Sequence, residues 1–142
     1  MTVATVTTDI NIGPFKIPSN GQNMIMNNYA SRNGISIEIV IPEPMKSNFL
    51  ATTQWLSKEM NIQKIILCSI HQLPKSENEF LELKKKLQNI EFHFALEGLS
   101  GRGDDFLDKC KKEVECFDKA ELLPDNYSWS DLYDQIKKNY EQ

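Results

Sequence analysis

The stretch Lys64-Ile65-Ile66-Leu67-Cys68-Ser69-Ile70 decides the fold. A near-continuous apolar run of this kind suits a strand covered on both faces, which is the mark of a parallel sheet. Upstream, residues 35–41 (Ile-Ser-Ile-Glu-Ile-Val-Ile) read as a strand stopped by Pro42 and Pro44, and the β-branched run at residues 2–8 reads as the first strand. Downstream, Glu91-Phe92-His93-Phe94-Ala95-Leu96-Glu97 reads as a fourth.

Helical patterns separate these strands. Ser19 or Asn20 can cap a helix carrying Met24, Ile25, Asn28 and Tyr29, which ends at Asn33-Gly34. Ser47 or Asn48 caps a second, with Leu50, Trp55 and Leu56 inward. Ser76 with Glu79 makes a capping box for a third that holds Phe80, Leu83 and Leu87. Residues 98–103 read as a loop before a fourth helix, which starts at Asp104 and carries Phe106, Leu107, Cys110 and Val114. A last amphipathic helix follows Pro124. Strands and helices in this alternation form right-handed βαβ units. The expected fold class is therefore α/β: a three-layer sandwich on a four-stranded parallel sheet of order 2-1-3-4. Residues 1–124 make the single domain and 125–142 a C-terminal helical extension. That extension reads equally as a dimerisation arm, giving a homodimer, or as an element packed on its own domain.

Composition excludes several classes. The chain has 142 residues, 40% hydrophobic and 25% charged, with a net charge of −4. It contains no apolar stretch near the roughly 20 residues of a spanning helix, and Met1-Thr2-Val3 opens without a basic leader region. The acidic balance argues against nucleic acid as the main partner. Cys68, Cys110 and Cys116 show no metal-binding spacing and read as reduced thiols of a cytoplasmic protein. No cofactor is specified.

In an open parallel sheet, ligands bind beyond the carboxyl ends of the strands, near the point where strand order reverses. The residues expected on that rim are Lys16, Ser19, Gln22 and Asn23 after the first strand, and Glu43 after the second. Ser69, His71 and Gln72 follow the third, and Glu97 ends the fourth. His71, at a strand exit, suits general acid/base work, with Glu97 to orient it. Ser19 is a lesser nucleophile candidate or simply a helix cap. Lys16 suits an anion. Ser69, Gln72, Gln22, Asn23 and Glu43 suit hydrogen bonds to a ligand. His93 lies early in its strand, where a satisfied core histidine is the simpler reading. The glycines at 98, 101 and 103 precede a helix, but Asp104 and Asp105 would repel a phosphate there.

Several of these strings carry a resemblance. Lys16-Ile17-Pro18, Gln22-Asn23, Tyr29, Ser69-Ile70-His71-Gln72-Leu73-Pro74 and His93-Phe94-Ala95-Leu96-Glu97-Gly98-Leu99 resemble the sporadic carbohydrate cluster proteins. These are small bacterial proteins encoded among genes for lipopolysaccharide O-antigen or capsule, and the likeness spans about residues 3–100. It implies a role in surface-polysaccharide biosynthesis, with a small sugar-derived metabolite bound or modified at the rim. It also brings His93 into the ligand-binding set. The alternative is a non-catalytic partner that docks on a glycosyltransferase or modifying enzyme. The first strand departs from the family pattern, with Thr5-Val6 and Asp9-Ile10 where a Gly-Tyr start and a basic exit are expected.

The element order, with Ser19 and Gln22 opening a helix after the first strand, is also similar to the catalytic domain of serine recombinases. That likeness implies a resolvase- or flavodoxin-like fold. Phosphodiester chemistry needs an arginine cluster around the phosphate. This chain offers only Arg32 and Arg102, neither beside the first strand. A recombinase-like nuclease is accordingly the least favoured function.

Overall fold

A computed structural model of the chain describes residues 2–8, 16–43, 51–121 and 137–138. In chain order the elements are β1 (Thr2–Thr7), α1 (Ser19–Arg32), β2 (Ile39–Pro42), α2 (Ala51–Glu59) and β3 (Ile62–Leu67). A 3-10 turn (Ile70–Gln72), α3 (Glu77–Lys86), β4 (Glu91–Phe94), β5 (Leu99–Gly101) and α4 (Asp104–Glu121) follow. The sheet order is β2-β1-β3-β4-β5. The first four strands are parallel in the expected 2-1-3-4 order.

The sheet is nevertheless mixed, because β5 runs antiparallel to β4. Residues 98–103, expected as loop, contain this fifth strand. Gly98 adopts φ 66, a left-handed conformation that glycine enters without penalty. Its N–H donates to the Phe94 carbonyl at 2.9 Å and closes the reversal. Gly101 then lets β5 pass beneath α4, since a Cβ there would stand 2.6 Å from the Phe106 ring. A strand this short shows no period-2 pattern, so nothing in its apolar spacing announces it.

The deciding stretch behaves as its composition demands. Ile65, Ile66, Leu67 and Cys68 are wholly buried, and successive side chains point to opposite faces. Ile65 and Leu67 join Phe80 and Leu83 of α3, Leu87 at its C-cap, and Leu107, Cys110 and Val114 of α4, with Leu56 of α2 packed against that cluster. Ile66 and Cys68 meet Met26 and Ala30 of α1 on the other face. One helix therefore covers one face and three cover the other, giving three layers. Each such buried aliphatic side chain contributes about 1.5–3 kcal/mol.

Four local expectations are corrected. Trp55 is 64% exposed, because α2 turns Thr53, Leu56 and Ser57 inward, an i, i+3, i+4 face that leaves Trp55 on the far side. Met24 likewise faces outward while Met26 is buried. The N-cap of α1 is Pro18, with no side-chain cap from Ser19 or Asn20. The third strand ends at Leu67, and Ser69 instead caps the 3-10 turn that follows.

Ser76 does cap α3, its Oγ accepting from the Glu79 N–H at 3.4 Å. Ser47, Asn48 and Leu50 lie outside the described residues. So does the extension at 125–142 except for Lys137 and Lys138, which are helical; its dimerisation role is not addressed. Among the described residues no helix is long and apolar enough to cross a membrane.

Candidate functional site

The carboxyl end of β3 organises the rim. Beyond Leu67 the chain leaves the sheet, and Ser69 holds an extended conformation that starts the 3-10 turn. Its backbone N–H donates to Gln72 Oε1 at 2.9 Å, while its Oγ accepts from the His71 N–H at 3.2 Å. The same Oγ donates to Glu97 Oε2 at 2.8 Å, and the Ile70 N–H donates to Glu97 Oε1 at 2.9 Å. Both oxygens of Glu97 are thus seated on the β3 exit. The amide of Gln72 reaches onward to Thr8 Oγ1 and Gln22 Oε1, at 2.9 and 3.3 Å.

Gln22 completes this network. Its Oε1 accepts from the Thr8 N–H at 3.0 Å, and its Nε2 donates to the carbonyls of Thr8 and Ile17 at 2.7 and 2.8 Å. Gln22, Ser69 and Gln72 are fully buried, and buried amides of this kind stabilise only when their partners are in place. The network pins the exit of β1 to the start of α1 and to the exit of β3. Cys68 lies beneath it. Burial pushes its thiol up to about 11, and the nearby Glu97 charge acts in the same direction, so this cysteine is a packed neutral thiol.

A second set of polar groups lies on the α1 side of β4. His93 is buried, and each ring nitrogen has a partner. Nδ1 is 2.8 Å from Tyr29 Oη and Nε2 is 2.8 Å from Glu91 Oε2. Glu91 also meets Lys64 at 3.3 Å and Arg102 at 3.8 Å. The His93 hydrogen bond holds the Glu91 carboxyl below its ordinary range, burial opposes it, and Lys64 adds to the lowering. Burial raises Tyr29, with a hydrogen bond from Ser100 pulling partly the other way.

Between α1 and the β4–β5 reversal lies a hollow of about 620 Å³. Asn28, Tyr29, Arg32, Asn33, Glu97 and Ser100 supply its polar wall, and Ile25, Ala95 and Leu96 its apolar one. Glu97 therefore belongs to both the rim network and the hollow.

The expected site residues are distributed unevenly. Gln22, Ser69, Gln72 and Glu97 converge, as do Tyr29 and His93. The His71 ring turns away and packs edge-on against Phe117 of α4, with centroids 4.8 Å apart; only its backbone N–H enters the network. Glu43 is buried, its Oε1 accepting from the N–H and Oγ1 of Thr53, each at 2.6 Å. Its carboxylate ties the β2 exit to α2. Lys16 and Ser19 are exposed and Asn23 is half-buried; the hydrogen bonds of the network do not include them.

Glu91, Arg32, Asn28 and Ser100 were not singled out from sequence. Glu91 had a readable signal, because a carboxylate two positions before a strand histidine shares its face. Among the described residues no group of three His, Cys, Asp or Glu side chains could hold a metal ion.

Compared with solved structures, the chain is similar to the N-terminal catalytic domain of TP901-1 integrase. The TM-score is 0.57 at 14% identity, covering 85% of this chain and 96% of that one. The likeness is one of fold, and the architecture is resolvase-like. No family model matches the chain, nor does any curated protein.

Proposed function

We propose that the chain binds a small hydroxylated, sugar-derived metabolite in the hollow beside Glu97 and serves the biosynthesis of bacterial surface polysaccharide. One observation supports this most. Six of the residues that carry the carbohydrate-cluster resemblance are joined by side-chain hydrogen bonds: Gln22, Ser69, Gln72 and Glu97 in one set, Tyr29 and His93 in the other. Glu97 of the first set and Tyr29 of the second line the same hollow. The chemistry of its wall suits such a ligand. Asn28, Asn33 and Ser100 offer donors and acceptors to hydroxyl groups, Arg32 can pair with a phosphate or carboxylate, and Ile25 with Ala95 can cover a sugar's apolar face.

The integrase neighbour raises DNA strand chemistry as a rival, but the side chains do not favour it. Arg32 ends α1 and Ser19 begins it, about 20 Å apart at 1.5 Å per residue. Arg102 leans on Glu91. No arginine pair is therefore left to clamp a phosphate at Ser19. The docking alternative draws support from Trp55, which lies exposed on α2.

The test is calorimetric titration of the full chain with a panel of nucleotide-sugars and sugar phosphates. Binding that falls about tenfold in Glu97→Gln and in Asn28→Ala is expected, as for loss of one hydrogen bond to a charged or polar group. No binding across the panel, or binding indifferent to both substitutions, overturns the reading. A defect in polysaccharide produced by Trp55→Ala but not by Glu97→Gln would transfer the argument to docking.

A further inference from the structure

Tyr29, His93 and Glu91 form a line of three groups whose proton positions can be assigned. A carboxylate only accepts hydrogen bonds, and the His93 hydrogen bond, with Lys64 at 3.3 Å, favours the ionised form of Glu91. His93 Nε2, 2.8 Å from Glu91, therefore carries the imidazole hydrogen. That leaves Nδ1 as a lone pair, so the Tyr29 hydroxyl at 2.8 Å donates to it. The Tyr29 side chain lines the hollow, and its oxygen, once it has donated its proton, can still accept hydrogen bonds. Ser100, opposite His93 in the β4–β5 register, stands beside that oxygen.

We propose that Tyr29, backed by His93 and Glu91, is an acid–base relay that takes a proton from a hydroxyl group of the ligand held in the hollow. The proposal rests on the hollow being the ligand site. In the step, the ligand O–H bond breaks and its proton goes to Tyr29 Oη. The original Tyr29 proton passes to His93 Nδ1, and Glu91 answers the charge of the resulting imidazolium. Reversal returns both protons, so Tyr29 serves equally as the acid.

A buried histidine satisfied by neighbours is the simpler structural account of His93. Two features go beyond it. The chain of hydrogen bonds runs outward and ends on a side chain bordering a 620 Å³ hollow. The far end is a carboxylate that Lys64 also meets, at 3.3 Å, so it can answer a positive charge on the ring. Burial keeps Tyr29 a neutral phenol, so its basicity must come through His93. A histidine that both holds a nucleophile's proton and is itself oriented by a carboxylate is the general form of an activated hydroxyl.

Tyrosine-directed labelling tests the relay without a known substrate. Phenylmethylsulfonyl fluoride is added to the full chain and labelling is followed by mass spectrometry. The Tyr29 O–S bond forms, the S–F bond breaks with loss of fluoride, and the phenol proton goes to His93. Tyr29 should react about tenfold or more faster than Tyr127, Tyr133 and Tyr140, and slow by a similar factor in His93→Gln. Glu91→Gln should slow it less. Tyr29 reacting no faster than the other tyrosines, or unchanged in His93→Gln, overturns the relay. Should His93→Gln not fold, nitrogen NMR of the unaltered protein decides: hydrogen on Nε2 and none on Nδ1 supports the relay, and the reverse tautomer overturns it. Selective, His93-dependent labelling without any sugar binding would retain the relay and remove the sugar reading. Sugar binding with an ordinary Tyr29 would do the opposite.

Discussion

Two polar networks flank the β3–β4 pair, and they differ in how they end. At the β3 exit, Thr8, Gln22, Ser69, Gln72 and Glu97 satisfy one another, largely through buried amides and backbone groups. On the α1 side of β4, the line from Glu91 through His93 reaches Tyr29, a side chain that lines a hollow beside Ser100. The first is closed and holds chain segments in place. The second ends on side chains that line the hollow, where a ligand can join. The two histidines fall on either side of this divide. His71 rests on an aromatic ring, whereas His93 has polar partners at both nitrogens.

Substitutions should expose the same divide, in stability for the closed network and in reactivity for the open one. Gln22→Leu should have the largest effect, about 3 kcal/mol in urea unfolding, because it leaves the Thr8 N–H and two carbonyls without their partner. Glu97→Ala should cost about 2 kcal/mol by orphaning the Ser69 hydroxyl and the Ile70 N–H, and should also empty the hollow of ligand. Tyr29→Phe should lose about 1 kcal/mol in the same assay while abolishing sulfonyl labelling at that position.

Acid titration should show a smaller effect. Glu91 is held below its unfolded value of 4.5, chiefly by His93 and Lys64. Its contribution is present above that value and disappears as pH falls through the lowered one. Glu91→Gln should therefore flatten the acid limb of stability against pH and leave the neutral plateau's shape unchanged. His71→Ala should do least, under about 1 kcal/mol for one ring contact. If His71→Ala instead cost more than Glu97→Ala, the division into closed and open networks would fail.

Much of the fold could be read from residues 64–70. An apolar strand of that kind requires neighbours on both sides and helices above and below, and the 2-1-3-4 core follows from it. What escaped were features whose signal is weaker than a period. β5 spans three residues between glycines, too few to alternate. Trp55 is large and apolar, yet Thr53 and Ser57 take the buried face of α2 beside Leu56.

At the site, Ser69, Gln72 and Glu97 were readable because strand ends in such sheets carry function, and the structure joins them. The link between Tyr29 and His93 was not readable, since it crosses 64 residues and depends on which face α1 turns to β4. Glu91 was within reach, sharing a strand face with His93 two positions on. Glu43, at a strand end like the others, is drawn into α2 instead by Thr53; position on the rim did not distinguish it from Glu97.

The chain reversal after β4 separates the parts of the hollow by what they tolerate. The relay stands on regular elements, with Tyr29 in α1 and Glu91 and His93 in β4. The opposing wall, from Ala95 to Gly98, is a turn. Turns accept insertions and exchanges that strands and helices refuse. Lengthening that turn would reshape the space offered to a ligand while leaving the proton-handling groups in register. A scaffold so divided can change what it admits without relearning what it does, with Glu97 as the residue that must stay, since it holds the turn to the β3 exit.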